Sequence, residues 1–401
     1  MDVKVLVSGA SIAGPVLAYW LNRYGFDVTV VEKAPELRKT GGHAVDLYGP
    51  AMEISERMGV GAAVKDLATG TDDMAVLRND RPARHIDLRK IYEAGSDKHV
   101  EIMRDDLSGI YFDTARNDVE YVFSDSISEI AEDGEVAFDN GPTRKFDLVI
   151  GADGLHSNVR RLAFGPESDY SSFLGAYLAV QSVPRDFGEP GMYKVYTEAG
   201  LLTGVYGAEH LDDARAVFLF RTERPLDYQR KDIPLQKDFV RERFADRHPE
   251  VDRWLTELDG TPAFYFDSIT QLSMETWSKG RVSLVGDAGY CPGPAVGGST
   301  SLAVYGAYVL AGELAEAGGD HTKAYPAYER AMAEAVEKSR SFARGAAKSI
   351  IPGSRFGSWA LVNGARLVTA MPGPIRRGLM KMNGASIRFF DSLPVKDYER
   401  R

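Results

Sequence analysis

The chain has 401 residues, 44% of them hydrophobic, and a formal net charge of −10. That length exceeds one small core and suits two interleaved globular domains, while the acidic balance and scattered Lys/Arg give no footprint for nucleic acid. The single cysteine, Cys291, excludes a disulfide framework and a multi-cysteine metal site, and no metal is expected.

The N-terminus runs directly into a strand with no charged and then apolar leader, and no apolar run reaches the ~18 residues of a membrane span. A soluble cytoplasmic protein, monomer or homodimer, is expected.

Residues 3–8 read as a buried strand, followed by a helix from Pro15 to about Arg23 that stops at Gly25. DVTVVE at 27–32 is a second buried strand, so the opening follows βαβ grammar and predicts a parallel sheet. Helical segments are expected near 50–67 and 104–117, short strands over 73–87 and 120–138, and another buried strand in FDLVIGADG at 146–154. From about 174 to 275, AYLAVQSV, MYKVYTE, LLTGVYGA and RAVFLFRT predict an antiparallel sheet, with one helix near 233–247. RVSLVGDAG at 281–289 returns to the buried-strand pattern. Helices then follow at roughly 299–316, 321–346, 355–370 and 375–384, punctuated by Pro352–Gly353 and the PGP at 372–374.

The buried strands near 3, 146 and 281 are expected to share one sheet. The fold class is therefore α/β: a discontinuous Rossmann-like nucleotide-binding domain over 1–72, 98–172 and 276–320, a β-sheet substrate domain over 73–97 and 173–275, and a C-terminal helical segment over 321–401.

Three turns carry the chemistry. In VLVSGASIAG, residues 5–14, a strand meets a GxxxxG turn and a helix. That arrangement sets helix N–H groups and the helix dipole beside a phosphate. Gly9 allows the tight turn and Gly14 lets helix and strand pack closely. Ser11, where a middle glycine is usual, keeps its backbone N–H. Glu32 ends the second strand, where an acid accepts hydrogen bonds from a ribose diol. GADG at 151–154 follows a buried strand and suits close approach of backbone to ligand. GDAGYCPGPAVGGS at 286–299 places Asp287 at a strand's carboxyl end, with a Pro/Gly loop leading to a helix near Ser299.

GASIAG with Glu32, GADGLHSNVRR and VGDAGYCPGPAVGGS together resemble the FAD-dependent aromatic hydroxylases, the single-component flavoprotein monooxygenases. HAVDLYG after the glycine pair at 41–42, the stretch 264–288 and GAYVLAGEL look closest to the tetracycline-inactivating branch. The resemblance implies FAD as cofactor and NAD(P)H as transient co-substrate. It implies cofactor contacts from Gly9, Ser11, Ile12, Ala13, Gly14, Glu32, Lys33, Arg104, Asp153, Gly154, Gly286, Asp287, Pro294, Gly297, Gly298 and Ser299. Of these, Glu32 would take the adenosine ribose, Arg104 and Asp287 the ribityl–pyrophosphate region, and Asp153 contacts to both cofactors. The loop 292–298 would lie along the flavin. Tyr305 stands where many relatives carry aspartate.

By the same resemblance, O2 adds at the flavin C4a position and the resulting hydroperoxide transfers oxygen to an electron-rich, hydrophobic aromatic or polycyclic substrate. A non-redox cyclase or isomerase is the alternative, whereas a halogenase predicts a WxW pair that the tryptophans at 20, 254, 277 and 359 do not form.

Water must be kept from the peroxide. Phe218 and Phe220 share one strand face, as do Phe264 and Phe266. With Tyr177, Tyr193, Tyr196 and Tyr206 they suit the wall of a site for a flat, multi-ring molecule. His43 and His210 are the polar candidates beside it. Cys291 reads as a small packed residue. Trp359, Met371 and Met380 give the C-terminal helices apolar stripes that cover the substrate entrance or bury a sheet face.

Overall fold

The computed structural model describes residues 2–37, 42–79, 81–96, 98–294, 298–376 and 385–398. Its first layer follows from short apolar runs with no polar face. Val5–Val7, Val28, Val30, Val31 and Leu148–Ile150 are all essentially inaccessible to solvent. Strands buried on both sides belong in a parallel sheet covered by helices. The sheet runs Ser278–Lys279, Val282–Leu284, Leu148–Gly151, Lys4–Ser8, Asp27–Glu32, Glu120–Phe123. Every neighbouring pair is parallel except the two-residue edge strand. The register sets Ser8 beside Gly151 and Gly151 beside Leu284. The three turns singled out in the sequence therefore leave the same edge of the sheet. The helices Ala13–Arg23 and Ser299–Glu316 pack on each other there, with Trp20 edge-on to Tyr308 at 4.8 Å.

The second layer is a seven-stranded sheet in the order Phe264–Leu272, Ser171–Pro184, Asp213–Arg221, Leu201–Tyr206, Met192–Glu198, Asp73–Val76, Arg84–Asp87. It is antiparallel except where Met192–Glu198 meets Asp73–Val76. Side chains alternate between its two faces. One face carries Tyr177, Phe218, Phe220 and Phe266, packed on Val240, Phe244, Val251 and Trp254 of helices Ile233–Phe244 and Pro249–Leu255. The other carries Leu178, Val180, Tyr206, Val217, Leu219 and Ile269, packed on Met103 and on Ala343 and Ala347 of helix His321–Ile350.

Phe218 and Phe220 are fully buried on the face packed against helices Ile233–Phe244 and Pro249–Leu255, opposite the face that packs on Met103. Tyr177, Tyr196, Phe264 and Phe266 belong to that same cluster, whereas Tyr193 and Tyr206 belong to the opposite one. The alternation was legible, but both faces of RAVFLFRT are apolar, and period two alone does not say which helices each face meets.

A short ribbon absent from the sequence reading, Ala44–Leu47 paired antiparallel with Val100–Met103, lies between the two layers. The helix expected over 50–67 is two, Gly49–Arg57 and Gly61–Asp66, and the one from 321 extends to Ile350. Residues 377–384 of the expected last helix, Met380 among them, lie outside the described residues. Among the described residues no helix is long and apolar enough to cross a membrane.

Truncating Phe218 to Ala should lower stability by about 3–5 kcal/mol, because it opens a cavity between sheet and helices. Urea unfolding checks this. A loss below about 1 kcal/mol, or a selective loss of substrate binding at unchanged stability, would return Phe218 to the site.

Candidate active site

The first turn is shaped by what it excludes. A methyl group built on Gly9, at φ +107°, would stand 2.5 Å from the carbonyl oxygen of Ala152, and one on Gly14 would stand 1.9 Å from the carbonyl of Gly9. The first contact joins the opening turn to GADG. Ser8 Oγ adds a 3.4 Å hydrogen bond to Asp153. The third turn closes in from the other side, since a methyl on Gly286 would meet Ala13 Cβ at 3.3 Å and Ala303 Cβ at 3.2 Å. The structure thus brings Gly9, Ser11, Ile12, Ala13, Gly14, Asp153, Gly154, Gly286 and Asp287 to one end of the parallel sheet.

The acidic residues there work on backbone. Glu32 accepts from the N–H groups of Ala10 and Ala34, each at 2.9 Å. Asp153 accepts from the Ser157 hydroxyl and from the N–H groups of Asn158 at 2.9 Å and Val159 at 3.0 Å. Burial pushes the Asp153 carboxyl above its ordinary range, against those hydrogen bonds. Burial also raises Asp287, while the nearby Arg104 guanidinium opposes that shift. Arg104 donates from Nη2 to Ser11 Oγ at 3.1 Å, and Ser108 Oγ donates to the Ser11 carbonyl at 2.9 Å. Lys33 is exposed beyond Glu32. Cys291 is fully buried, and burial pushes its thiol well up, so it is no ready nucleophile.

Helix Ala13–Arg23 begins with no side-chain cap and no acid in its first turn. Helix Ser299–Glu316 likewise begins without a side-chain cap, from Gly298 in the left-handed conformation at φ +67°. Gly298 packs near Tyr48 and Phe390, Pro294 is half-buried, and Gly297 lies outside the described residues. Two uncapped helix starts, a side-chain-free cradle between them and Arg104 on its rim form an arrangement that could hold the pyrophosphate of a dinucleotide. The residues present fit FAD. Among the described residues no group of three or more His, Cys, Asp or Glu is placed to hold a metal.

Between cradle and second sheet runs segment 42–44, and both sides grip it. Gly42 N–H donates to Asp105 at 2.8 Å, and its carbonyl accepts from Arg215 Nε at 3.0 Å. The His43 carbonyl accepts from Arg104 N–H at 3.1 Å, and Ala44 N–H donates to the Tyr206 hydroxyl at 2.7 Å. The His43 ring lies 6.4 Å from that of Tyr265. Burial first, then Arg104, lower the His43 imidazole to about 4, with Asp46 opposing. His210, in contrast, is on an exposed turn and pairs with Asp106 at 2.8 Å.

Sequence reasoning passed over Arg215, Asp105 and Tyr265. A signal existed for Arg215, a charge in the middle of an apolar strand that is only 2% exposed. Tyr305, at the family's aspartate position, donates to the Pro394 carbonyl at 3.1 Å and anchors the C-terminal segment.

The chain matches the FAD binding domain family over residues 2–339. It is 38% identical over 345 residues to a flavin-dependent monooxygenase of an unknown prokaryotic organism, covering 84% of this chain and 88% of that one. Among solved structures, tetracycline destructase Tet(51) superposes with a TM-score of 0.84 at 31% identity, covering 99% of this chain and 100% of that one. Tetracycline destructase Tet(55) gives 0.81 at 34%, covering 98% and 99%. With the converging glycine turns and uncapped helix starts already in place, these likenesses settle the family: the chain belongs to the FAD binding domain family and is a flavin-dependent monooxygenase.

Proposed function

We propose that the protein hydroxylates a flat, multi-ring aromatic substrate of polyketide type, tetracycline-like in shape, using NAD(P)H and O2 in the cytoplasm. The balanced reaction is substrate–H + O2 + NAD(P)H + H⁺ giving substrate–OH + NAD(P)⁺ + H2O. Bound in the cradle, FAD would supply the redox chemistry, taking electrons from NAD(P)H and activating O2. In this reading the Gly9–Gly14 turn, Arg104 and Asp287 hold the pyrophosphate and ribityl chain, and Glu32 turns toward the adenosine ribose. The seven-stranded sheet serves as the substrate wall. The observation that carries the substrate class is the sheet face turned toward segment 42–44. It presents Tyr193, Tyr206 and Tyr265 with Leu202, Val217 and Leu219, a wall both apolar and aromatic. The likeness to two tetracycline destructases over nearly the whole chain supports the same reading.

His43 is then a neutral imidazole beside that wall, able to donate or accept one hydrogen bond without carrying charge. A neutral ring next to Arg104 leaves the guanidinium as the local positive charge for an anionic cofactor group.

Three measurements test the proposal. NAD(P)H oxidation by the flavin-loaded protein should be stimulated by tetracyclines or anthraquinones, with a product heavier by one oxygen atom; stimulation by simple phenols alone would remove the multi-ring assignment. Glu32→Ala should weaken FAD binding about tenfold or more, the worth of a hydrogen bond to a charged acceptor, and an unchanged dissociation constant in flavin fluorescence titration would take Glu32 out of the site. For His43 the folded state holds a lowered value, so the unfolded chain binds its proton first as pH falls. Its contribution is therefore intact above about 6.5 and is lost between 6.5 and about 4. His43→Gln should flatten the unfolding free energy across that window, and an unaltered pH profile would show that His43 titrates freely.

A further inference from the structure

Helix Arg355–Ala370 has two apolar sides. Its inner stripe, positions 358, 362, 365 and 369, packs Val362 and Ala365 on Val76, Ile86 and Leu88 of the sheet edge. Its outer stripe, positions 356, 359, 363 and 367, carries Phe356, Trp359 and Leu367 at 74%, 58% and 62% exposure. Phe356 and Trp359 stack with ring centroids 5.8 Å apart, and Ile375 just beyond the helix is 59% exposed. Six of the seven large hydrophobic side chains exposed among the described residues fall between 342 and 375. Scattered apolar residues need no explanation, but a concentrated patch does.

The charge beside this stripe is opposite to that of the chain. Arg78 and Arg81 stand on the turn joining strands Asp73–Val76 and Arg84–Asp87, which the helix covers. Arg84 reaches across to donate to Asn363 Oδ1 at 2.7 Å, and Arg366 follows on the helix itself. Arg78 feels Arg81, Arg84 and Arg366 as like-charged neighbours. None of the four meets a carboxylate among the described residues, in a chain whose net charge is −10.

We propose that this face, the Phe356–Trp359–Leu367 stripe with Arg78, Arg81, Arg84 and Arg366, docks the protein on an anionic lipid surface, the helix lying in the plane of the interface. Aromatic and leucine side chains enter the boundary between headgroups and acyl chains, and arginines meet the phosphates. A second copy of the chain fits less well, because a twofold contact sets each patch on its twin and brings the arginines against one another. A purely electrostatic partner leaves the apolar stripe without a role.

Trp20, Trp254 and Trp277 are 1%, 0% and 5% exposed, so Trp359 is the tryptophan that reports on this surface. The full-length, flavin-loaded protein is mixed with vesicles of phosphatidylcholine, with and without phosphatidylglycerol, and followed by co-sedimentation and tryptophan emission. Binding and a blue shift are expected only with phosphatidylglycerol, both reversed by high salt. Phe356→Ser with Trp359→Ser should abolish co-sedimentation, and Arg78→Gln or Arg81→Gln should each weaken it about fivefold. Unchanged flavin content certifies that each variant is folded. Failure to sediment with phosphatidylglycerol vesicles, or equal binding to phosphatidylcholine alone, overturns the proposal. So does a blue shift that grows with protein concentration and tracks a dimer mass in the absence of lipid, which would assign the face to a second copy.

Discussion

Everything at the cofactor end of the molecule depends on how closely three chain reversals approach one another. The parallel register puts Ser8, Gly151 and Leu284 level, so the segments that follow must turn in the same small volume. Backbone at Gly9 then lies against the carbonyl of Ala152, and Gly286 against Ala13. Side chains are excluded at these crossings, which leaves main-chain N–H groups and two uncapped helix starts to form the cradle. The acids at the turns serve the same end. Asp153 closes the first turn of the helix after GADG, and Glu32 ties the opening turn to the end of the second strand through Ala10 and Ala34. Their carboxylates shape the cradle by holding its backbone.

The second constraint is that a sheet has two sides. Both sides of the seven-stranded sheet are apolar, but they meet different partners. Helices Ile233–Phe244 and Pro249–Leu255 fill one with Phe244 and Trp254 against Phe218 and Phe220. The other meets Met103, Ala44 and the long helix from His321. Each face thus has its own set of packing partners. The division lets the aromatic content of one face vary without unpacking the other.

This architecture explains which parts were legible in the sequence. Buried strands announce themselves as unbroken Val/Leu/Ile runs, and the glycine–acid turns follow them directly, so the parallel sheet and its three turns could be read from residues 5–14, 146–154 and 281–289. The partners of each face of the seven-stranded sheet could not, because Phe218 and Leu219 are equally apolar and only the helices that come later in the chain distinguish them. The ribbon of Ala44–Leu47 with Val100–Met103 was missed because its two halves are short and distant in sequence, with no local turn to betray the pairing. For Arg215 the sequence shows a charge in an apolar strand and its neighbour Asp213, with which it pairs, but not its bond to the Gly42 carbonyl, because backbone acceptors leave no mark in a sequence. Trp359 looked like cover for a pocket or a sheet face. The residues of its helix that bury against the sheet are instead the less conspicuous Ser358, Val362, Ala365 and Thr369.

The grip on segment 42–44 has one further consequence. Its successive backbone groups bind alternately to Asp105 and Arg104 on the cradle side and to Arg215 and Tyr206 on the sheet side. A displacement of this strap is therefore felt by both compartments at once. Thermodynamic reciprocity then applies: by whatever factor an occupant of one compartment changes affinity in the other, the second occupant changes the first by the same factor. Loading order cannot alter the total, only the route by which the doubly filled protein is reached.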